Sequence, residues 1–399
     1  MTQVPEVPLY MRRVVLDPSP ALGAARESVG VQKIDTALGM PAYLVTRYDD
    51  VKAALAAPER FSNRKPPGWF AGAPAVADDE HAQSTAGNLL GIDPPEHLRL
   101  RRMLTSEFTV RRMRRLEPRI AEIVDQHLDA MEQAGAPADL VSSFALPIPS
   151  LVICELLGVP YEDRADFQRR SSRLLNFRIP PAERFAENHA SREYMMTLVQ
   201  RARREPGEDM LGMLVREHGT EVSDYELVGI GVLLLLAGHE TTSNMLSLGT
   251  IALLQHPGQL AAVRDDPDAL GPAIEELLRY LSVVQHAIAR ITTCEVEVGG
   301  VVIPAGHLVI LSLPAGNHDP RFIHAPDTFD VSRGAPGHLA FGHGVHHCLG
   351  APLARMEMRI AFPALLRRFP HLALDEDLSE VPFRELNLVY GAESLKVRW

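Results

Sequence analysis

Apolar and polar positions follow two different periods along this chain, and the helical period dominates. From Asp93 to about Arg279, Leu, Ala, Arg and Glu recur at the three- and four-residue spacing of amphipathic helices, with capping residues at the breaks. Ahead of that region, MPAYLVTRY has the look of a strand and DDVKAALAAP that of a helix closed by Pro58. Beyond it, CEVEVGGVVIPAGHLVILSL alternates residue by residue on either side of Gly299 and Gly300, which predicts a hairpin, and LNLVYG and SLKVRW add strand signals near the C-terminus. The pattern predicts a mainly α fold with small β-sheets. No Gly/Ser linker, fixed-period repeat or low-complexity block interrupts it, so residues 1–399 are expected to form a single domain. The Pro/Gly-rich stretch RKPPGWFAGAPAVADDE is expected to be a mobile loop.

One segment stands apart. In SDYELVGIGVLLLLAGHETTSNMLSLGTIALLQH, Ser223 and Glu226 have capping-box spacing and no proline intervenes until Pro257. At 1.5 Å per residue the helix would be about 50 Å long. Its middle is apolar on every side, as suits a buried central helix. Against that background His239, Glu240, Thr241 and Thr242 are costly to bury without a purpose.

Composition narrows the classes. With 399 residues, 46% of them apolar and 23% charged, the chain can bury a large core. A formal net charge of -11 argues against a general nucleic-acid binder, which needs a basic excess. The three cysteines, Cys154, Cys294 and Cys348, form no CxxC pair and no disulfide framework, which fits a reducing compartment. MTQVPEVPLYMRR lacks the apolar core of a signal peptide, and the longest apolar run, around Leu227 to Ala237, is too short to cross a bilayer. A cytoplasmic protein with no membrane anchor is expected.

The candidate chemistry lies in FGHGVHHCLG, residues 341–350. Four readings of Cys348 compete. A zinc site would need further ligands converging on it, and His346 and His347 are too close for the usual spacing. A reactive thiol beside a histidine is a second reading. A buried inert thiol, the third, suits Cys154 in LVICELLG better. The fourth is a haem-thiolate ligand: a glycine-rich turn lets backbone approach a flat macrocycle, and the helical APLARMEMRIAFPALLRRF that follows would aim its first amides at the sulfur.

The ten-residue stretch resembles the haem-binding signature of the cytochrome P450 family through Phe341, Gly344, His346, Cys348 and Gly350. The resemblance implies the cytochrome P450 fold, with a long central helix over the haem and the cysteine loop on the opposite haem face. It implies haem b as cofactor, with Cys348 on the iron and Phe341 and Gly350 beside the ring. Other motifs follow in the family's order. EELLRY supplies Glu276 and Arg279 at i, i+3, a pair that in the family is joined by a later arginine, here Arg333 of DTFDVSRG. AGHETT resembles the oxygen-activating segment, where Gly238 would leave room for dioxygen, Thr241 would hydrogen-bond the bound oxygen and Glu240 would feed protons. IDPPEHLRLRR reads as a helix start with Asp93 as cap and Pro94 in the first turn, placing His97 and Arg101 one turn apart. By resemblance these two, with Arg290 and His346, would hold the haem propionates. Leu233, Leu236, Ala237 and Thr241, then Val284 and Ile288, then Leu388 and Val389 would line a substrate pocket. One departure is His318, where many members carry an arginine in the Asn-x-Asp-Pro stretch.

The resemblance therefore implies a monooxygenase that uses O2 to hydroxylate a lipophilic small molecule. SEFTVRRM, FALPIPSLVICELLGVPY and LLLLAGHETT most resemble actinobacterial members acting on secondary metabolites, such as macrolides, other polyketides or terpenoids, or on xenobiotics. With no reductase segment in the chain, electrons are expected from a separate ferredoxin and ferredoxin reductase. Basic residues in HLRLRRM and TVRRMRRL, including Arg102 and Arg112, together with Arg355 and Arg359, would attract an acidic partner. An H2O2-driven haem peroxygenase and a non-enzymatic haem sensor or carrier remain as alternative readings.

Overall fold

The computed structural model describes residues 6–65, 78–286 and 288–399. Most of the loop expected over residues 64–80 and the Arg112 side chain lie outside them. The central helix runs Asp224–Leu254, about 46 Å at 1.5 Å per residue. Its capping box forms as the spacing predicts: Ser223 Oγ accepts from the Glu226 amide at 3.2 Å, and Glu226 Oε2 accepts from the Ser223 amide at 2.8 Å. Around it pack the helices Pro147–Leu157, Pro181–Arg204 and Ala351–Arg368. Leu248, Ile251, Leu277 and Leu365 are fully buried in their shared core. Each such side chain contributes about 1.5–3 kcal/mol relative to exposure.

A five-stranded mixed sheet flanks the helices, ordered Val31–Asp35, Pro41–Val45, Leu308–Leu311, Ala289–Thr292, Phe61–Ser62. All its pairs are antiparallel except Leu308–Leu311 with Pro41–Val45, where Val309 faces Tyr43. The Gly299–Gly300 hairpin joins Val296–Val298 to Val301–Ile303, with φ of 56° and 80° at the two glycines, as a tight primed turn requires. Of the two C-terminal segments expected as strands, SLKVRW supplies one, Lys396–Arg398, which pairs with Ala373–Leu374. LNLVYG, expected as a strand, makes single bridges instead, Asn387 to Asn176 and Val389 to Val284, because its neighbours on either side are helix ends and loops rather than a continuous strand.

Two local expectations are corrected. The helix after IDPP begins at Glu96 with Pro95 as its cap residue. Asp93 does not cap it; its carboxylate accepts from the Asn63 amide at 2.8 Å and from Ser62 Oγ, tying the end of the Phe61–Ser62 strand to the helix entrance. Pro94 and Pro95, which stand between Asp93 and the helix, carry no amide hydrogen for its side chain to accept from. The second correction concerns the arginine trio. Arg279 grips Glu276 with two bonds of 2.7 and 2.8 Å, and both side chains are 0% exposed. The rest of its guanidinium donates to the carbonyls of Asn317, Pro326 and Thr328. Arg333 instead reaches the Ala325 carbonyl at 3.2 Å, and Glu276 takes its remaining bond from the Asp330 amide at 3.1 Å. Backbone groups fill the positions that a third side chain would take. His318 bonds the Tyr280 carbonyl at 2.9 Å and Asp327 at 3.0 Å, stitching the same region.

Candidate active site

The loop around Cys348 is held from several sides. The Cys348 amide donates to the Phe341 carbonyl at 2.9 Å, the Gly342 amide to Leu339 at 2.7 Å, and Arg101 Nη2 to the His347 carbonyl at 2.6 Å. At Gly344, φ is 71° and an added Cβ would stand 2.7 Å from the Leu55 carbonyl oxygen, so only glycine fits this turn. Behind the loop Arg355 lies 4.6 Å over the Phe341 ring and is clamped by Glu275 through bonds of 2.6 and 2.8 Å. Arg355 and His338 together pull the Glu275 carboxyl down to about 2 against the effect of burial.

Cys348 has open surface of its own, yet dense protein stands close around the sulfur: it lies in a recess. Burial raises its thiol pKa, while the Gly350 amide, Arg101, the Ala351 amide and Arg355 all favour the thiolate. The two amides belong to the start of the Ala351–Arg368 helix, as the spacing predicts. Cys154, by contrast, is fully buried and its thiol is pushed up to about 12, an inert core group.

Beside this recess the structure gathers cations. His97 is buried, with its Nδ1 unpartnered and its ring 4.0 Å from that of His346. Asn63 Nδ2 donates to His346 Nε2 at 2.8 Å. Burial, then His97 and Arg290, hold His346 down at about 3, and burial, then Arg101, lower His97. Both imidazoles are therefore neutral. Arg290 is buried, its Nη1 meets only the Ala289 carbonyl, and burial depresses it to about 10. Lys65, which the sequence reading missed, joins it with Nζ on the Asn63 and Ala289 carbonyls. Burial and Arg290 depress Lys65 to about 8. Asp93 is the carboxylate that acts on Lys65, His97, Arg290 and His346 alike. A cluster of two cations, Lys65 and Arg290, and two imidazoles around one carboxylate suits an added dianion.

The middle of the central helix supplies the third wall. Leu233, Leu236 and Thr241 are partly accessible and Ala237 is exposed, although Leu235, His239 and Glu240 between them are buried. Open surface on one face of a helix that crosses the interior means internal space beside it. Val284, Ile288 and Leu388 are likewise partly accessible. Val389 is not: it is 2% exposed and packs in the core. Thr241 Oγ1 donates to the Ala237 carbonyl at 2.8 Å. A Cβ at Gly238 would strike the Ile153 side chain at 2.8 Å, so this glycine makes room for the neighbouring helix rather than for a ligand. Glu240 is 2% exposed and accepts from Arg384 Nη1 at 3.0 Å. Nothing local in the sequence announces Arg384, which lies 144 residues away.

The sequence profile described as Cytochrome P450 matches residues 37–398. The chain is a cytochrome P450. It is 48% identical to Cytochrome P450 FAS1 of Rhodococcoides fascians, with all of both chains covered. It is 42% identical to a solved P450, StaH from glycopeptide antibiotic A47934 biosynthesis, at a TM-score of 0.87 over 99% of this chain and 100% of that one. It is 38% identical to CYP105P1 in complex with filipin I, at 0.90 over 100% and 99%. The P450 is thus a haem-binding monooxygenase, with the central helix over the haem and the cysteine loop on the opposite face. The residues present fit that group: a sulfur flanked by helix-start amides, an orphaned buried imidazole nitrogen and a cationic wall for two propionates. The family couples O2 and a redox partner's electrons to a lipophilic substrate. Among the described residues no helix is long and apolar enough to cross a membrane.

Proposed function

We propose that this P450, acting as one domain in the cytoplasm, hydroxylates a lipophilic secondary metabolite or foreign compound, with electrons from a ferredoxin and its NAD(P)H-linked reductase. The observation that carries the reading is the Cys348 sulfur set between the Gly350 and Ala351 amides beside the cationic wall. Support for the substrate class comes from relatives involved in glycopeptide antibiotic biosynthesis or holding filipin I.

When bound, haem supplies dioxygen activation at an iron whose thiolate ligand favours O–O cleavage. The chain does the rest. Cys348 would provide the sulfur, with the two amides, Arg101 and Arg355 favouring its anion against the opposing effect of burial. His97, Arg101, Arg290 and His346 would hold the haem's propionates. Leu233, Leu236, Ala237, Val284, Ile288 and Leu388 exclude water and seat an apolar molecule. Because Thr241 Oγ1 spends its hydrogen on the Ala237 carbonyl, its lone pairs are left to accept a hydrogen bond from the pocket. Glu240 carries protons inward.

The test compares reduced, carbon-monoxide-bound protein with its Cys348→Ser variant. The parent is expected to show the thiolate-type absorption band and the variant to lose it together with NAD(P)H-driven oxidation. Retention of both in the variant would overturn the reading, and turnover supported by H2O2 alone would replace it with a peroxygenase.

A further inference from the structure

Arg184 is a part-buried cation without an anion. It stands in the first turn of the helix Pro181–Arg204, where the backbone dipole already disfavours positive charge. Burial lowers its pKa, and no carboxylate offsets the loss of water. The acids near it on the same helix are turned elsewhere: Glu183 accepts from Arg173 at 2.6 Å, and Glu187 accepts from Arg173 at 2.7 Å and from Arg169 at 3.1 Å. Among the described residues the Arg184 guanidinium donates only from Nε, to the Leu174 carbonyl at 2.9 Å. The hydrogens on its two Nη nitrogens are left unspent. The group lies 4.7 Å over the Phe177 ring, a contact that holds it without neutralising it.

The same ring meets a second free donor. His286 packs edge to face with Phe177, the centroids 4.7 Å apart and the planes at 79°. Tyr10 Oη accepts from the Ala37 amide at 3.2 Å and gives its own hydrogen to His286 Nδ1 at 2.6 Å. With Nδ1 accepting, the neutral ring carries its hydrogen on Nε2, which has no partner among the described residues. Burial, and after it the charge of Arg184, keeps the ring neutral. His286 retains open surface, as Val284 and Ile288 to either side of it do. Leu388 joins this corner to the pocket: it packs both against the cluster that holds Phe177 and against the core around the central helix. Its amide bonds the Leu175 carbonyl at 2.9 Å, and its carbonyl takes the Gln285 amide at 3.2 Å.

We infer that Arg184 and His286 form a two-point site for the carboxylate of a lipophilic acid on the Leu388 side of the pocket, an inference that rests on the substrate pocket proposed above. The guanidinium supplies the charge, and the imidazole Nε2–H supplies a directed hydrogen bond. The apolar remainder of the acid is left to Leu388, Val284 and Ile288. A carboxylate matches the single cation, whereas a phosphate would bring a second charge with no partner. A neutral ester offers its carbonyl to Nε2–H and gives the guanidinium nothing to neutralise.

Calorimetric titration of the haem-loaded protein with decanoate, dodecanoate and naphthylacetate, each beside its methyl ester, tests this. The parent is expected to bind at least one acid about tenfold or more tightly than its ester. Arg184→Gln is expected to abolish that preference by weakening the acid alone, and Arg184→Lys, which keeps the cation, to retain most of it. His286→Phe cannot donate and is expected to weaken acid and ester alike, because both present an oxygen to Nε2. A parent that prefers no acid of the set overturns the inference. So does an Arg184→Gln that loses acid and ester equally, the mark of a merely structural role, and so does a His286→Phe that binds both as the parent does. The titration needs neither electrons nor oxygen. With the thiolate-type band of the reduced, carbon-monoxide-bound protein intact, absence of an acid preference removes this inference and leaves the oxygenase reading standing; loss of the band with the preference intact does the reverse.

Discussion

At the scale of single residues, the contrast between Arg279 and Arg333 shows what a spacing rule can and cannot reach. An i, i+3 Glu/Arg pair is visible in EELLRY, but its worth depends on burial, which the string of letters does not carry. Because both members are 0% exposed, removing one leaves an uncompensated buried charge. Arg279→Ala is expected to cost about 3–5 kcal/mol or to prevent folding, whereas Arg333→Ala, losing one exposed bond to a carbonyl, is expected to cost less than about 1 kcal/mol in urea unfolding. His286 gives a second residue-scale test. Tyr10 Oη accepts from the Ala37 amide, so its own hydrogen goes to His286 Nδ1, 2.6 Å away. Burial, and then Arg184, hold this histidine down at about 4. Between pH ~6.5 and about 4 the unfolded chain binds a proton that the folded one refuses, so stability falls as pH drops through that window. The slope is up to about 1.4 kcal/mol per pH unit, lessened by whatever water reaches the ring, and His286→Gln is expected to remove its share from a pH series of urea midpoints.

Among the elements, those legible in sequence are the ones whose signals are local. The capping box, the Gly299–Gly300 hairpin and the helix after Cys348 all appear where their residues predict. The sheet register does not, because Leu308–Leu311 pairs in parallel with Pro41–Val45 across more than 260 residues, and no turn chemistry records such a pairing. Close helix packing is equally silent. Gly249, mid-way along the central helix, looks like a weak helix former open to improvement. Yet a Cβ there would lie 2.5 Å from Cζ of Phe362, whose ring is itself 1% exposed and has nowhere to go. Gly249→Ala is therefore expected to lose about 1–3 kcal/mol through overpacking. Gly271, inside the helix Pro267–Leu281, meets nothing within 4 Å. There the same substitution is expected to gain up to about 1 kcal/mol from helix propensity alone. Thermal or urea unfolding of the two variants should show opposite signs, and equal signs would refute the packing account.

On the scale of the whole molecule, the question is which arginines remain for a partner once the fold has used its own. Part of the basic set that the sequence offers as one docking face is used by the fold, Arg99 by Glu226 and the Glu221 carbonyl, Arg101 by the His347 carbonyl and Arg355 by Glu275, whereas Arg114, Arg115 and Arg359 are exposed. Arg102 is among the exposed ones: it bonds the Leu98 carbonyl one turn back and follows Arg101, whose side chain touches the cysteine loop. It therefore presents an exposed positive charge on the helix that reaches the cysteine loop through Arg101, in a chain whose formal net charge is -11. An acidic ferredoxin approaching such a molecule is repelled by the total and drawn by this patch, so orientation depends on few charges. Arg102→Glu is expected to slow reduction by ferredoxin about tenfold at low salt, read by stopped-flow under carbon monoxide, and to weaken the salt dependence of the rate. Reduction by a small neutral donor should be unaffected, because that encounter has no orientation to lose. A variant that takes electrons from ferredoxin as fast as the parent at every ionic strength would place the docking face elsewhere on the molecule.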